Sequence, residues 1–263
     1  MKDFIEKLRN IFRIDELRQR ILYTLLLLLV FRLGSYVVLP GIDSEQLEAD
    51  FANSQAGGIL GLINTFVGGA FSRGAIFALG IMPYISASII VQLLGAAMPS
   101  IQKLQREGES GQKKINQLTR YLTVLITFGQ AAGYVVNLRA MYPNALPLEG
   151  SFDSSLFWLT AVVILTAGTM FLVWLGERIT DNGIGNGVSL IIAIGIIAGL
   201  PGALINEWRA NSAMLFFIEL IALGIATMGV VALTQATRKV PINYARRVMG
   251  NRIAGGMTNN ARQ

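Results

Sequence analysis

No cysteine and no histidine occurs among the 263 residues. Their absence excludes disulfide frameworks, thiol nucleophiles and imidazole bases, along with the usual zinc and haem ligands. Charge is scarce as well: Asp, Glu, Lys and Arg make up 14% of the chain, against roughly 25% in an ordinary soluble domain. In their place stand apolar residues, 53% of the total, and the mean hydropathy is +0.53. They gather in long runs separated by polar stretches, the pattern of an integral membrane protein. The net charge of +6 therefore bears on orientation and anionic partners rather than on fold.

Six apolar runs stand out, at Ile21–Pro40, Ala78–Met98, Tyr121–Leu138, Ser155–Leu175, Val188–Ile205 and Ala213–Thr237. Each is close to the roughly 20 residues a helix needs to cross a hydrocarbon core. Backbone polar groups in lipid must be satisfied within the segment, so these runs predict helices, and their length excludes barrel strands. The expected fold class is all-α, a polytopic bundle of transmembrane helices. On a six-span reading, 18 of the 22 Lys and Arg residues fall on one side, in residues 1–20, 99–120, 176–187 and 238–263. The loop after the first run carries Asp43, Glu45, Glu48 and Asp50 and no basic residue. The positive-inside rule then places both ends of the chain in the cytoplasm. Residues 1–20 carry Phe4, Leu8, Ile11 and Phe12 at helical spacing and no Ala-x-Ala site. They read as an amphipathic helix on the inner leaflet or as a solvated lead-in, with no cleavable signal.

The stretch from Leu62 to Leu94 is apolar but starts poorly for a helix, with Gly68, Gly69, Arg73, Gly74 and Gly80 before Pro83. Its 33 residues would make about 50 Å of helix, too long for one straight span. Non-helical backbone at membrane depth is tolerated only when buried in protein or lining a watery cavity. Gly61–Phe77 therefore reads as a re-entrant piece entering from the outer side, with an outer loop bearing an interfacial helix as the alternative. Arg32, well inside the first run, favours a cavity, because an intramembrane charge usually avoids lipid; partial snorkelling is the other reading. Glu219 sits near enough to the end of the sixth run to snorkel.

Five segments carry a resemblance: FRLGSYVVLPGID at 31–43, GGAFSRGAIFALGIMPYISASIIVQLL at 68–94, KLQREGESGQKKINQLTRY at 103–121, GTMFLVWLGERITDNGIGNGVSLII at 168–192 and PINYARR at 241–247. In this order they closely resemble the SecY family, the central subunits of the bacterial Sec protein-conducting channel. The family has ten spans in two inverted-topology halves. This chain, with six, resembles the first half plus one helix, and so looks like a fragment. The domains this implies are an amphipathic N-terminus (1–20), a first five-span half (21–205) holding the re-entrant piece 61–77, a sixth span (206–237) and a basic cytoplasmic loop (238–263).

The resemblance also implies roles. The family's plug, which closes the resting pore from outside, corresponds to Gly61, Leu62, Ile63, Asn64, Thr65, Phe66, Val67, Gly68, Gly69, Ala70 and Phe71. The pore ring corresponds to Ile81 and Ile85 on the second span and Val188 and Ile192 on the fifth. Each pair is spaced i, i+4, so both members point one way; branched aliphatic side chains can close round an extended peptide and form a dewetted barrier. Read without the resemblance, the same residues are plain helix packing. Spans two and three correspond to one wall of the lateral gate, with Ser86, Ser88, Gln92 and Gln130 as its candidate polar residues; such residues also serve simply as interhelical hydrogen-bond glue.

Gly176–Gly187, GERITDNGIGNG, lacks the Gly-Lys-Ser/Thr ending of a phosphate loop. It is better explained as a tight turn with helix caps. The tail from Arg238 has six basic and no acidic residues. In the family this loop docks the ribosome or the SecA motor, and Arg246, Arg247 and Arg252 are the expected contacts, since guanidinium suits phosphate and carboxylate alike. Enforcing topology or touching anionic lipid is their other reading.

The expected function is a non-enzymic channel subunit in the bacterial cytoplasmic (inner) membrane, without cofactors. It would pass unfolded secretory proteins across and release membrane segments sideways. Its expected partners are SecE-like and SecG-like small membrane subunits, the SecA motor, the ribosome, signal sequences and nascent chains, and the lipid bilayer. Half of a secondary transporter is the competing class, but it should place binding side chains near the midplane, where this chain is aliphatic. A membrane enzyme would need catalytic groups that the sequence does not offer.

Overall fold

The computed structural model describes residues 14–53, 58–146, 154–210, 213–237 and four three-residue stretches between 239 and 262. Among these are nine α-helices: α1 (Asp15–Gly34), α2 (Ser44–Asn53), α3 (Ile59–Phe66), α4 (Met82–Ala97), α5 (Pro99–Arg106), α6 (Glu109–Met141), α7 (Ser154–Asn182), α8 (Gly187–Ala210) and α9 (Ala213–Gln235). The protein is an all-α, multi-pass membrane bundle. The chain divides into two units, Met1–Pro201 and Gly202–Gln263; the division falls inside α8, at Pro201, a residue unable to donate the helical hydrogen bond.

In the first unit α1 packs on α7, α7 on α6, and α6 on α4. The packing faces follow from residue spacing. Pro83, Ala87, Val91 and Gly95 are the buried residues of α4, each one turn beyond the last. On α6 the buried stripe Ile115, Thr119, Thr123, Thr127, Ala131 follows the same i, i+4 rule. Each of these threonines donates its hydroxyl to the carbonyl four residues earlier, at 2.9, 2.7 and 2.6 Å. Polar side chains therefore sit in an apolar interface with their donors satisfied within one helix.

Helix boundaries depart most from the apolar runs at the first and second of them. Among the described residues four helices, α6, α7, α8 and α9, are long and apolar enough to cross a membrane, and five if the bent pair α4–α5 is one span, rather than the six expected. The first run falls short because any 18-residue stretch of α1 contains Arg18, Arg20 and Arg32, and because its helix stops at Gly34. Beyond that point Val38 pairs with Ala75 in an antiparallel bridge. The second run is helical only from Met82, after turns running to Ile81, and bends by 102° at Met98 into α5. The basic tail contains short paired strands: β1 (Lys239–Pro241) with β4 (Asn260–Arg262), and β2 (Arg247–Met249) with β3 (Arg252–Ala254). Residues 1–13, most of the expected amphipathic N-terminus, lie outside the described residues.

Candidate functional site

The glycine-rich entrance folds as a short helix followed by a long buried turn. None of the α3 residues is buried. From Val67 to Ile81 the chain leaves the helix, and eleven of those positions, among them Val67, Ala70, Phe71, Ala75, Phe77 and Ala78, are enclosed by the surrounding protein. Gly68 and Gly69 adopt φ of +67° and +85°, a left-handed conformation that side-chain-bearing residues rarely take. The turn is thus non-helical backbone enclosed by protein, the condition under which such chain is tolerated in a membrane protein.

Each buried carbonyl and amide of such a turn needs a partner, and the loop after α1 and the surrounding helices supply several. Leu39 donates its N–H to Gly74 O and Ile76 donates to Val37 O, both at 2.9 Å. Tyr134, buried on α6, donates its hydroxyl to Phe71 O at 2.8 Å. Asn64 of α3 accepts the N–H of Ser72 on Oδ1 at 3.0 Å. Arg32 donates Nη1 to Gly68 O at 3.1 Å and Nη2 to the Tyr36 hydroxyl at 2.9 Å. Arg73 donates Nε to Glu48 at 3.1 Å and lies 4.4 Å from the Tyr36 ring centroid. Two helices come so close that glycine is required: a Cβ on Gly168 would run into Ile76 O, and one on Gly195 would lie 2.7 Å from Phe66 O.

The four expected ring residues share one apolar cluster. Ile81 is buried in it, and Ile85, Val188 and Ile192 pack against it partly exposed. Val67 and Ala70, from the turn after α3, belong to the same cluster, together with Phe31, Phe77, Leu172 and Ile191. Phe71, from the same turn, packs in a second cluster, edge-on to Tyr134 with ring centroids 4.9 Å apart. Ile63 touches both clusters.

The gate candidates are not joined across helices. Ser86 donates to Met82 O at 3.1 Å, and Gln92 donates to Ser88 Oγ at 3.3 Å, all within α4. Gln130 lies exposed on α6. Of the docking candidates, Arg246 lies outside the described residues, while Arg247 and Arg252 stand in β2 and β3, whose backbones pair with each other. Tyr36, Glu48, Tyr134, Gly168 and Gly195 were not among the sequence-derived candidates. Only Tyr36 gave a local signal, one turn after Arg32.

Within Gly176–Gly187 the expected tight turn occupies residues 183–186, between the end of α7 at Asn182 and the start of α8 at Gly187. Thr180 Oγ1 donates to Gly176 O at 2.8 Å and accepts Gly187 N–H at 2.9 Å. Asn186 caps α8 by accepting Ser189 N–H at 3.2 Å, and Thr24 of α1 accepts Ile184 N–H at 3.1 Å.

Comparison with known proteins agrees with this arrangement. Residues 75–261 match the family model described as SecY. The chain belongs to the SecY family. It is 45% identical over 245 residues to the protein translocase subunit SecY of Buchnera aphidicola, covering 91% of this chain and 55% of that relative. The chain therefore spans about half the length of this SecY relative. Its fold is similar to a solved protein-conducting channel, with a TM-score of 0.56 at 19% identity over 92% of this chain and 52% of the other. It is likewise similar, at TM-score 0.54 and 20% identity over 92% of this chain and 52% of the other, to a SecY whose plug domain is described as stabilising the closed state of the translocation channel and maintaining a membrane seal.

Proposed function

We propose that this chain forms part of the central subunit of a protein-conducting channel. The complete protein passes unfolded secretory proteins across the bacterial cytoplasmic membrane and releases membrane segments sideways into it. It is a conduit rather than an enzyme, and the energy comes from SecA or the translating ribosome. Residues 61–71 act as the plug, and Ile81, Ile85, Val188 and Ile192 as the ring it sits against. The observation that carries this reading is the shared cluster of Val67 and Ala70 with those four aliphatic side chains. A segment with an exposed leading helix can swing out from that end without unfolding the bundle, and a ring of branched side chains behind it limits ion flow.

The same reading assigns the remaining parts. Helices α4 and α6, packed together, serve as one wall of the lateral gate, with Ser86, Ser88, Gln92 and Gln130 along it. Residues 21–205 act as the first half, 206–237 as the start of the second, and 238–263 as a cytoplasmic docking loop. Arg246, Arg247 and Arg252 meet ribosomal RNA phosphates or acidic groups on SecA there. SecE-like and SecG-like subunits complete the channel, and both ends of the present chain are cytoplasmic.

Reconstitution tests this directly. The full-length protein is placed in vesicles with its small partner subunits, and a radiolabelled unfolded precursor is offered with SecA and ATP. Precursor protected from external protease, and released only when the vesicles are dissolved, is the expected result. No protected precursor from vesicles in which the complex is intact and correctly oriented would overturn the proposal.

A further inference from the structure

Two arginines and one tyrosine meet at the point where the exposed helix α3 gives way to the buried turn. Arg32 holds Gly68 O with Nη1 and the Tyr36 hydroxyl with Nη2, at 3.1 and 2.9 Å. Its guanidinium carbon lies 4.9 Å from the Tyr36 ring centroid, and that of Arg73 lies 4.4 Å from the same ring. Arg73 is tied in turn to Glu48 on α2 at 3.1 Å. A continuous chain of polar contacts therefore runs from Gly68 through Arg32, Tyr36 and Arg73 to Glu48. Cation–π contacts of this kind strengthen as water is excluded, and one Arg73 amine, Nη1, is buried with no hydrogen-bond partner.

The place of attachment matters. Phe66 is exposed and Val67 buried, so Gly68 lies at the hinge between the loosely held helix and the anchored turn. Gly68 has φ +67°, and a Cβ there would come 3.2 Å from both Arg32 Nη1 and Gly195 Cα. The glycine thus lets the carbonyl turn towards Arg32 and lets the guanidinium and α8 close in on the hinge.

We propose that Arg32 is a positioning residue that seats the re-entrant segment, with Tyr36 and the Arg73–Glu48 pair holding its guanidinium in place. Outward movement of α3 pulls on the Gly68 carbonyl and breaks this charge-assisted hydrogen bond, so the contact sets the balance between seated and displaced segment. The inference rests on the channel reading for its consequence, ion sealing, but not for its geometry.

The test uses the full-length protein with its partner subunits, in a background freed of other cysteines, spin-labelled at Thr65→Cys on α3 and Leu156→Cys on α7. Pulsed dipolar spectroscopy then reads the seated and displaced populations, and planar bilayers read resting ion conductance. Arg32→Ala should raise the displaced population about tenfold, the scale of one lost charge-assisted hydrogen bond. Arg32→Lys should fall between it and the unsubstituted protein, because an ammonium can reach Gly68 O but lacks the fork that also engages Tyr36. Tyr36→Phe, which keeps the ring and removes the acceptor, should give roughly a two- to threefold rise, and it decides the matter if Arg32→Ala does not fold. An unchanged distance distribution in every variant that folds would overturn the proposal. A displaced α3 without increased conductance would uphold the seating role of Arg32 and overturn the sealing role of the segment.

Discussion

Arg120 on α6 and Glu177 on α7 meet in a two-pronged ion pair, with Nε donating to Oε1 at 2.9 Å and Nη2 to Oε2. The pair spans 57 residues of sequence and ties together two helices that also pack against one another. Fork-to-fork geometry favours it, while the 48% exposure of the Arg120 side chain screens it.

A double-mutant cycle with Arg120→Ala and Glu177→Ala should accordingly give a coupling of about 1 kcal/mol. Reversible unfolding of the full-length protein in mixed micelles measures it. A coupling below about 0.3 kcal/mol would mean that the pair adds nothing beyond what packing already provides.

Two glycines should respond to alanine with opposite signs. A Cβ on Gly187 would run into Gly176 O and the Ile179 side chain, where α7 turns into α8, so Gly187→Ala should cost about 1–3 kcal/mol through overpacking. On Gly129, inside α6, a Cβ meets nothing within 4 Å. Gly129→Ala should leave stability equal or raise it by about 0.5–1 kcal/mol, by helix propensity. Thermal denaturation of both variants checks the contrast, and an equal loss in the two would refute it.

The difference between what was legible and what was not follows from the range of each interaction. Apolar runs report a local property, transfer into lipid, and the cores of α6, α7, α8 and α9 lie where those runs stand. The end of α1 was less legible, because the run stays apolar to Pro40 while the helix stops at Gly34. What stops it is pairing with Gly74–Ile76, more than thirty residues away. Arg32 raised the question of a cavity from sequence alone, but its partner Gly68 is 36 residues distant, and no periodicity encodes that distance. Tyr134 and Gly168 were invisible for a related reason. Each looks like an ordinary helix residue until the turn packs against it, one donating to Phe71 O and the other making room for Ile76 O.

Orientation yields a separate prediction. Glu45 and Lys113 are both exposed, and the positive-inside rule puts them on opposite sides of the membrane. Single cysteines at these positions should differ when intact cells meet a membrane-impermeant thiol reagent: Glu45→Cys labelled, Lys113→Cys labelled only after lysis. Glu45 is preferable to Glu48, whose carboxylate is engaged by Arg73. Labelling of position 113 alone in intact cells would reverse the assigned topology.

The last prediction concerns the seal. Ile81 is buried and Ile85 half-buried, one turn apart, with Ile85 donating its N–H to Ile81 O at 3.2 Å. Both belong to the cluster that Val188 and Ile192 join from α8. Replacing Ile81 and Ile85 together by Ser removes two branched side chains and introduces groups that hold water, so a hydrophobic barrier there should weaken. Resting channels of the full-length double variant should leak ions in planar bilayers and admit less hydrophobic signal sequences. The seated segment, through Val67 and Ala70, would still cover the cluster and mask part of the leak. The decisive comparison is therefore the double variant with residues 61–71 deleted, against that deletion alone. Higher conductance in the former assigns the barrier to the ring. Equal conductance would leave Ile81 and Ile85 as packing residues, and the narrowest part of the path would have to be sought elsewhere among the helices.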